Sequence, residues 1–229
     1  MENKEIQSSH PAYIIATWFG IGKIRFAPGT FGSMFAFPLF ILSHYLLCFG
    51  KSESSFNYIY LSFLLVLFFI GQWASNVYMN KTGKSDPGEI VIDEVVGQLI
   101  VWFAAFSALA PSLGIFDVLY GSVSENSQQA TVESLHELFT TPAILSGYII
   151  ILFPAYLLGF ILFRIFDIWK PWPISWCDKN MKGGFGVMFD DIFASVYASI
   201  ALYLLIMAFV LFFVPAPEPI VLPATEIIQ

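Results

Sequence analysis

The sequence predicts an all-α fold, namely a polytopic membrane helical bundle of about five transmembrane helices with an interfacial helix at the N-terminus. Hydrophobic residues make up 57% of the 229 residues and charged residues only 12%, more apolar surface than a soluble domain needs. The apolar residues also fall in long runs, each close to the roughly 20 residues with which a helix crosses a bilayer. Barrel strands would instead alternate with a period of two.

The predicted elements follow one another simply along the chain. Residues 11–26 mix aromatic side chains with basic ones and indicate an amphipathic helix at the membrane interface. A polar, acidic insertion occupies residues 111–142, and a Pro-rich tail occupies residues 215–229. We therefore expect residues 1–214 to form a single membrane-embedded domain. Its five predicted spans are residues 31–49, 56–77, 91–110, 143–163 and 192–214.

The basic residues predict how this bundle is oriented. With the exception of Lys51, every one precedes the first span, follows the second, or lies between the fourth and fifth. The positive-inside rule then places the N-terminus and the loops at residues 78–92 and 164–191 in the cytoplasm. The net charge of −7 and the absence of a basic stripe in the sequence argue against nucleic acid as a partner. Oligomeric state is left open.

Four unusual segments adjoin the spans, and all four fall on the predicted cytoplasmic side. They are PGTFGS (28–33), DPGEIVIDEVVGQ (86–98), FRIFDIWKPWPI (163–174) and GGFGVMFDDIF (183–193). Lys and Arg alone decided the orientation, whereas these segments stand out for their carboxylates and glycines. Unrelated segments would scatter between the two membrane faces. Their gathering on one face predicts a common site.

The acidic residues of these segments point to a metal. Carboxylates at a membrane edge are costly unless they are paired, metal-bound or functional. A hard divalent cation relieves their mutual repulsion, and oxygen ligands without nearby His or Cys favour Mg²⁺. Each acid taken alone could instead be a salt-bridged residue or a helix N-terminal acid that favours the macrodipole. The predicted Mg²⁺ ligands are Asp93, Glu94, Asp190 and Asp191.

Residue spacing adds two expectations about side-chain faces. Glu89 and Asp93 are four apart, so on a helix they would share one face. Asp167 lies three residues from both Arg164 and Lys170, which predicts a stripe of basic, acidic and basic side chains.

Glycines in two of the segments fit a phosphate group. GGFG and PGTFGS both lead towards a predicted helix start, where flexible backbone amides can surround an anion. Thr30 could instead be only a helix N-cap. Basic side chains near these glycines would offset phosphate charge. The predicted phosphate-binding residues are Thr30, Arg164, Lys170, Gly183 and Gly184.

In these segments the sequence resembles the phosphatidylglycerophosphatase A family. The resemblance rests on four motifs in this order: APGTFGS, DPGEIVIDEVVGQ, FRIFDIWKPWPI and GGFGVMFDDI. It implies Mg²⁺-dependent hydrolysis of phosphatidylglycerophosphate to phosphatidylglycerol and phosphate, in bacterial phospholipid synthesis. It also implies a multi-pass protein of the bacterial inner membrane whose active site faces the cytoplasm. The insertion at 111–142 and the tail depart from the family pattern without touching a motif.

A metal-activated water is the expected nucleophile, because the sequence holds no cysteinyl-phosphate or aspartyl-phosphate motif. Under this hypothesis the substrate is a phospholipid whose headgroup reaches the membrane surface. The predicted catalytic residues are Asp93, Glu94, Asp167, Asp190 and Asp191.

Three other functions stay open at this point. A phosphatase of another phosphorylated lipid would use the same residues. A cation-binding transporter would place its acids at mid-bilayer between discontinuous helices. A non-catalytic scaffold would tolerate changes at the acidic residues.

Overall fold

The computed structural model describes residues 6–48, 53–109 and 142–213. The predicted insertion, apart from its last residue, and the Pro-rich tail lie outside these ranges. The described residues form seven α-helices and one 3₁₀ helix, Ile21–Lys23, and contain no strand. The α-helices are α1 Pro11–Ala16, α2 Pro28–Cys48, α3 Glu53–Thr82, α4 Ile92–Leu109, α5 Pro142–Trp169, α6 Ile174–Asn180 and α7 Gly183–Phe213.

The all-α membrane bundle is confirmed. Four helices are long and apolar enough to cross a membrane, through Ser55–Thr82, Ile92–Leu109, Leu152–Trp169 and Gly183–Phe209. These correspond to the second, third, fourth and fifth predicted spans. The first predicted span lies in α2, and its crossing of the membrane stays a prediction. Helices α3, α5 and α7 extend past the predicted apolar runs, because their polar ends continue into the site described below.

The predicted N-terminal helix begins at Pro11 as expected, but it does not continue to residue 26. Its place at the membrane interface stays a prediction. Helix α1 ends at Ala16, and Trp18 and Phe19 then adopt positive φ angles of 47° and 58°. This turn brings the N-terminal segment back onto the loop that precedes α4, where the Val91 N–H donates to the Ala16 carbonyl at 2.9 Å. Tertiary contacts therefore end the helix, although the polarity pattern alone would allow it to continue.

Helix α4 is the centre of the bundle. It packs against α2, α3, α5 and α7, and most of its side chains are buried. Aromatic rings fill the space around it: the Trp102 ring lies 5.5 Å from that of Phe40, and the Trp102 indole N–H donates to the Tyr156 carbonyl at 3.0 Å. A helix surrounded in this way can hold its first turn in a fixed position.

Gly97 allows α5 and α7 to approach α4 closely. A Cβ atom at this position would lie 2.6 Å from the ring of Phe163, which is fully buried, and 3.3 Å from the Asp191 carbonyl oxygen. The missing side chain is thus a packing requirement one turn below the acidic end of α4.

Gly97→Ala should therefore lower the free energy of unfolding by about 1–3 kcal/mol, because the added methyl group overpacks a site with no free space. Thermal unfolding of the purified protein in detergent measures the effect. Gly88→Ala is the matched control, since a Cβ atom there meets no atom within 4 Å. Equal melting temperatures for the two variants would contradict this packing argument.

Candidate active site

The four unusual segments meet at one end of the bundle, around a cavity of about 690 Å³. The cavity wall combines the first turn of α2, the last turns of α3, the loop before α4, the first turn of α4, the end of α5 and the start of α7. The predicted gathering of these segments is confirmed. Which side of the membrane this end faces stays a prediction.

Three carboxylates converge in this cavity. Asp93 and Glu94 lie in the first turn of α4, and Asp191 lies in α7 with 3% of its surface exposed. One oxygen atom from each lies within 4.8 Å of the others. Asp93 Oδ1, Glu94 Oε2 and Asp191 Oδ2 are buried and have no hydrogen-bond partner among the described residues. Carboxylate oxygens that lie so close together, and whose negative charge has so few hydrogen-bond donors, fit a hard divalent cation.

Arg164 lies beside this acidic cluster (Asp93, Glu94 and Asp191). Its Nη1 is 2.6 Å from Asp167 Oδ2 and 4.0 Å from Glu94 Oε1. Asp167 is therefore the ion-pair partner that orients Arg164, as the three-residue spacing predicts. Gly29 makes room here, because a Cβ atom at that position would collide with Glu94 Oε1.

Asp190 has a different environment from its neighbour Asp191. Its Oδ2 lies 2.6 Å from Lys170 Nζ, and the same ammonium lies 2.5 Å from Asp178 Oδ1. Burial acts to lower the pKa of Lys170, but hydrogen bonds and charges from Asp178 and Asp190 outweigh it and raise that pKa. Lys170 is thus a positive charge at neutral pH. Asp190 is not among the three carboxylates whose oxygen atoms lie within 4.8 Å of one another. Its role as a metal ligand stays a prediction.

The predicted stripe from Arg164 to Lys170 is only half correct. Helix α5 ends at Trp169, and Lys170 adopts a φ of 44°, in the left-handed region. The left-handed region is unfavourable for a residue with a Cβ atom, and the two ion pairs of Lys170 offset this free-energy cost. Because of this turn its side chain contacts α6 and α7 rather than continuing the α5 face.

The predicted glycine loops are helical turns. Gly183 and Gly184 begin α7, and PGTFGS begins α2. The Gly184 N–H donates to Asn76 Oδ1 at 2.7 Å, so this amide already has a partner. A Cβ atom at Gly184 would collide with the Gln72 carbonyl, so α3 and α7 approach closely at this point. Gly183 lines the cavity, whereas Thr30 does not; their phosphate-binding roles stay predictions.

Glu89 does not share a helix face with Asp93. It lies in a turn before α4 begins, and its Oε1 is 3.0 Å from Lys84 Nζ and 3.6 Å from Lys23 Nζ. Burial acts to raise the pKa of Glu89, but the hydrogen bond from Lys84 and the charges of both lysines lower it. Glu89 is therefore ionised and belongs to a separate set of charges.

Sequence reasoning did not single out three polar residues of this region. Asn76 is a polar amide at the end of an apolar span, which is itself a signal of function. Asp178 carried no signal, because no motif or spacing connects it to Lys170. Gln98 lies one turn beyond Glu94, is fully buried, and has two side-chain polar atoms without a partner in the described part of the chain.

Comparison with known proteins shows the family of the chain. The sequence profile of phosphatidylglycerophosphatase A matches residues 14–206, which include all four segments. The chain belongs to the phosphatidylglycerophosphatase A family. It is therefore an enzyme of a phosphatase family, and its candidate site lies at one end of a membrane helical bundle. No solved structure matches the chain.

Curated relatives extend over most of the sequence. Phosphatidylglycerophosphatase A of Escherichia coli K12 is 29% identical, covering 86% of this chain and 85% of the relative. The Haemophilus influenzae protein of the same name is 30% identical, covering 87% and 91%. A Bacteroides thetaiotaomicron protein, provisionally named a phosphatidylinositol-3-phosphatase, is 33% identical, covering 82% and 88%.

Lys170→Met should destabilise the fold by about 1–3 kcal/mol, because it leaves the Asp190 carboxylate, 6% exposed, without its cation. Adding Asp190→Asn should recover part of this loss, since the orphaned charge is then gone. Thermal unfolding of the wild type, both single variants and the double variant measures the coupling. Strictly additive effects would mean that the two side chains do not interact.

Proposed function

We propose that this enzyme is a Mg²⁺-dependent lipid phosphatase that hydrolyses phosphatidylglycerophosphate to phosphatidylglycerol and inorganic phosphate. One observation carries the proposal: three uncompensated carboxylate oxygens, from Asp93, Glu94 and Asp191, converge at the end of a membrane bundle. Two curated relatives that span most of the chain bear the name of this activity. The proposal includes a role in phospholipid synthesis at the bacterial inner membrane, with the cavity open to the cytoplasm as the basic residues predict.

The charged groups in and beside the cavity would divide into metal ligands and cations that bind phosphate. Asp93, Glu94 and Asp191 would hold Mg²⁺, which when bound supplies Lewis acidity and lowers the pKa of a coordinated water. Arg164, oriented by Asp167, lies where its guanidinium can offset charge on a phosphoryl group beside Glu94.

Lys170 supplies a second fixed positive charge on the cavity wall. Asp178 and Asp190 hold its ammonium from two sides, so it needs little rearrangement when an anionic headgroup enters. The acyl chains would remain at the level of the membrane helices, and only the headgroup would reach this end of the bundle. The geometry therefore favours a lipid phosphate over a soluble one.

A second candidate substrate is a 3-phosphorylated phosphatidylinositol. The name of the Bacteroides relative favours it. The same metal ligands and cations would act on either phosphomonoester, so the two candidates differ in the shape of the headgroup. A cation transporter fits less well, because the carboxylates of the described cluster lie at one end of continuous helices.

Phosphate release from lipid in detergent micelles tests the proposal. We expect release from phosphatidylglycerophosphate with Mg²⁺ and none with EDTA, and slower release from phosphatidylinositol 3-phosphate and phosphatidic acid. Asp191→Asn should lower the rate at least about 100-fold, since it removes a metal ligand. Asp117→Asn, in the predicted insertion outside all four segments, is the control.

Two results would decide against this function. Faster release from phosphatidylinositol 3-phosphate would transfer the assignment to the second candidate. Undiminished release in EDTA, or from the Asp191→Asn variant, would remove the metal cluster from the reaction.

A further inference from the structure

A second cavity, of about 810 Å³, lies next to the one that holds the acidic cluster. It is bounded by the N-terminal segment, α1, the 3₁₀ helix, the end of α3 and the loop before α4. None of the ten residues that are predicted to act in catalysis, metal binding or phosphate binding lines this second cavity. Lys84 lines both cavities. The charged and aromatic part of its lining consists of five side chains: Tyr13, Lys23, Tyr78, Lys84 and Glu89.

These side chains leave the second cavity with an excess positive charge. Lys23 and Lys84 share a single acidic partner, the ionised Glu89, so the set carries a net charge of +1 by count of groups. Lys23 Nζ is 3.6 Å from Glu89 Oε1, beyond hydrogen-bond distance, so this carboxylate does not occupy its donors. The side chains of Lys23 and Lys84 are 45% and 58% exposed. Both ammonium groups are therefore accessible to an anion.

The position of Lys23 is also restrained before any ligand arrives. Its Nζ lies 5.7 Å from the ring centroids of both Tyr13 and Tyr78. Cation–π attraction to two rings restrains the ammonium, which reduces the entropy that a bound anion must offset. Lys84 is held by its hydrogen bond to Glu89 at 3.0 Å.

We infer that this second cavity binds a phosphate group as a non-catalytic anion site. The phosphate could be the diester of an anionic phospholipid headgroup, or inorganic phosphate released in the neighbouring cavity. The phosphate oxygens of either ligand would accept charge-assisted hydrogen bonds from ammonium groups. Because Lys84 lies in the wall between the two cavities, an occupant would stabilise the loop that leads into Asp93 and Glu94.

Binding in EDTA tests this inference without turnover. The full-length protein is placed in phosphatidylcholine nanodiscs, and ³¹P NMR follows titration with inorganic phosphate or with dihexanoyl phosphatidylglycerol. Without divalent metal the acidic cluster disfavours both probes, and the saturable binding that Lys23→Gln weakens reports the second cavity, since Lys23 lines that cavity alone. Wild type should bind at least one probe, and Lys23→Gln should weaken that binding about tenfold.

Two further variants separate an electrostatic role from a structural one. Glu89→Gln should strengthen binding about threefold, because it removes the only negative charge of the five side chains. A purely structural Glu89 would give the opposite sign. Lys81→Gln is the matched control, since this exposed lysine near the end of α3 lines neither cavity and should leave binding unchanged.

Selective binding of the lipid would identify a headgroup as the occupant, and selective binding of inorganic phosphate would identify free phosphate. Equal binding would show that the shared phosphate group is what the cavity recognises, and each of these results supports the site. No saturable binding of either probe, or weaker binding in Glu89→Gln, would overturn it. Phosphate release with Mg²⁺ is a separate measurement, so either result leaves the proposed lipid phosphatase activity to its own test.

Discussion

The main constraint on this structure is the mutual repulsion of three carboxylates, each of which has a buried oxygen atom without a hydrogen-bond partner among the described residues. Asp93 and Glu94 lie in the first turn of α4, where the helix dipole favours negative charge. Asp191 has no such support, because it lies inside α7, two turns after its first residue. The Arg164 guanidinium is 4.0 Å from Glu94 and is engaged by Asp167 at 2.6 Å, so it compensates only part of the charge. The proposed divalent cation would supply the positive charge that Arg164 leaves lacking.

The bundle holds these carboxylates together through close helix packing. Gly97 lets α5 and α7 approach α4, and Gly29 lets the first turn of α2 contact Glu94. A Cβ atom at Gly29 would collide with Glu94, and one at Gly97 would collide with the Phe163 ring. The glycines beside the charged residues are therefore required for the site. The carboxylates can converge only if the helices approach one another closely at the acidic end of α4. This requirement explains why glycines and acids occur in the same segments of the sequence.

Much of the fold and the location of the site could be predicted from the sequence. Apolar runs of membrane-spanning length identified four of the helices, and the charged segments beside them meet as expected. These features depend on composition and on order along the chain. The short α1 could not be predicted in the same way, because the Ala16 carbonyl is fixed by a contact with Val91, far along the chain.

The different environments of the acidic residues could not be predicted from the sequence. Asp190 and Asp191 are adjacent, yet they point about 100° apart on α7, as successive residues of a helix do. One therefore meets the carboxylates of α4 and the other meets Lys170. Asp178 joins that ion pair through a left-handed turn at Lys170, which no spacing rule anticipates.

Manganese binding followed by electron paramagnetic resonance tests most directly whether the three carboxylates form the metal site. Purified wild type should bind Mn²⁺ saturably, and Mg²⁺ should displace it. Asp93→Asn, Glu94→Gln and Asp191→Asn should each weaken binding at least about tenfold, while Asp190→Asn should retain it. No saturable binding by wild type, or a loss in Asp190→Asn as large as that in Asp191→Asn, would contradict this assignment.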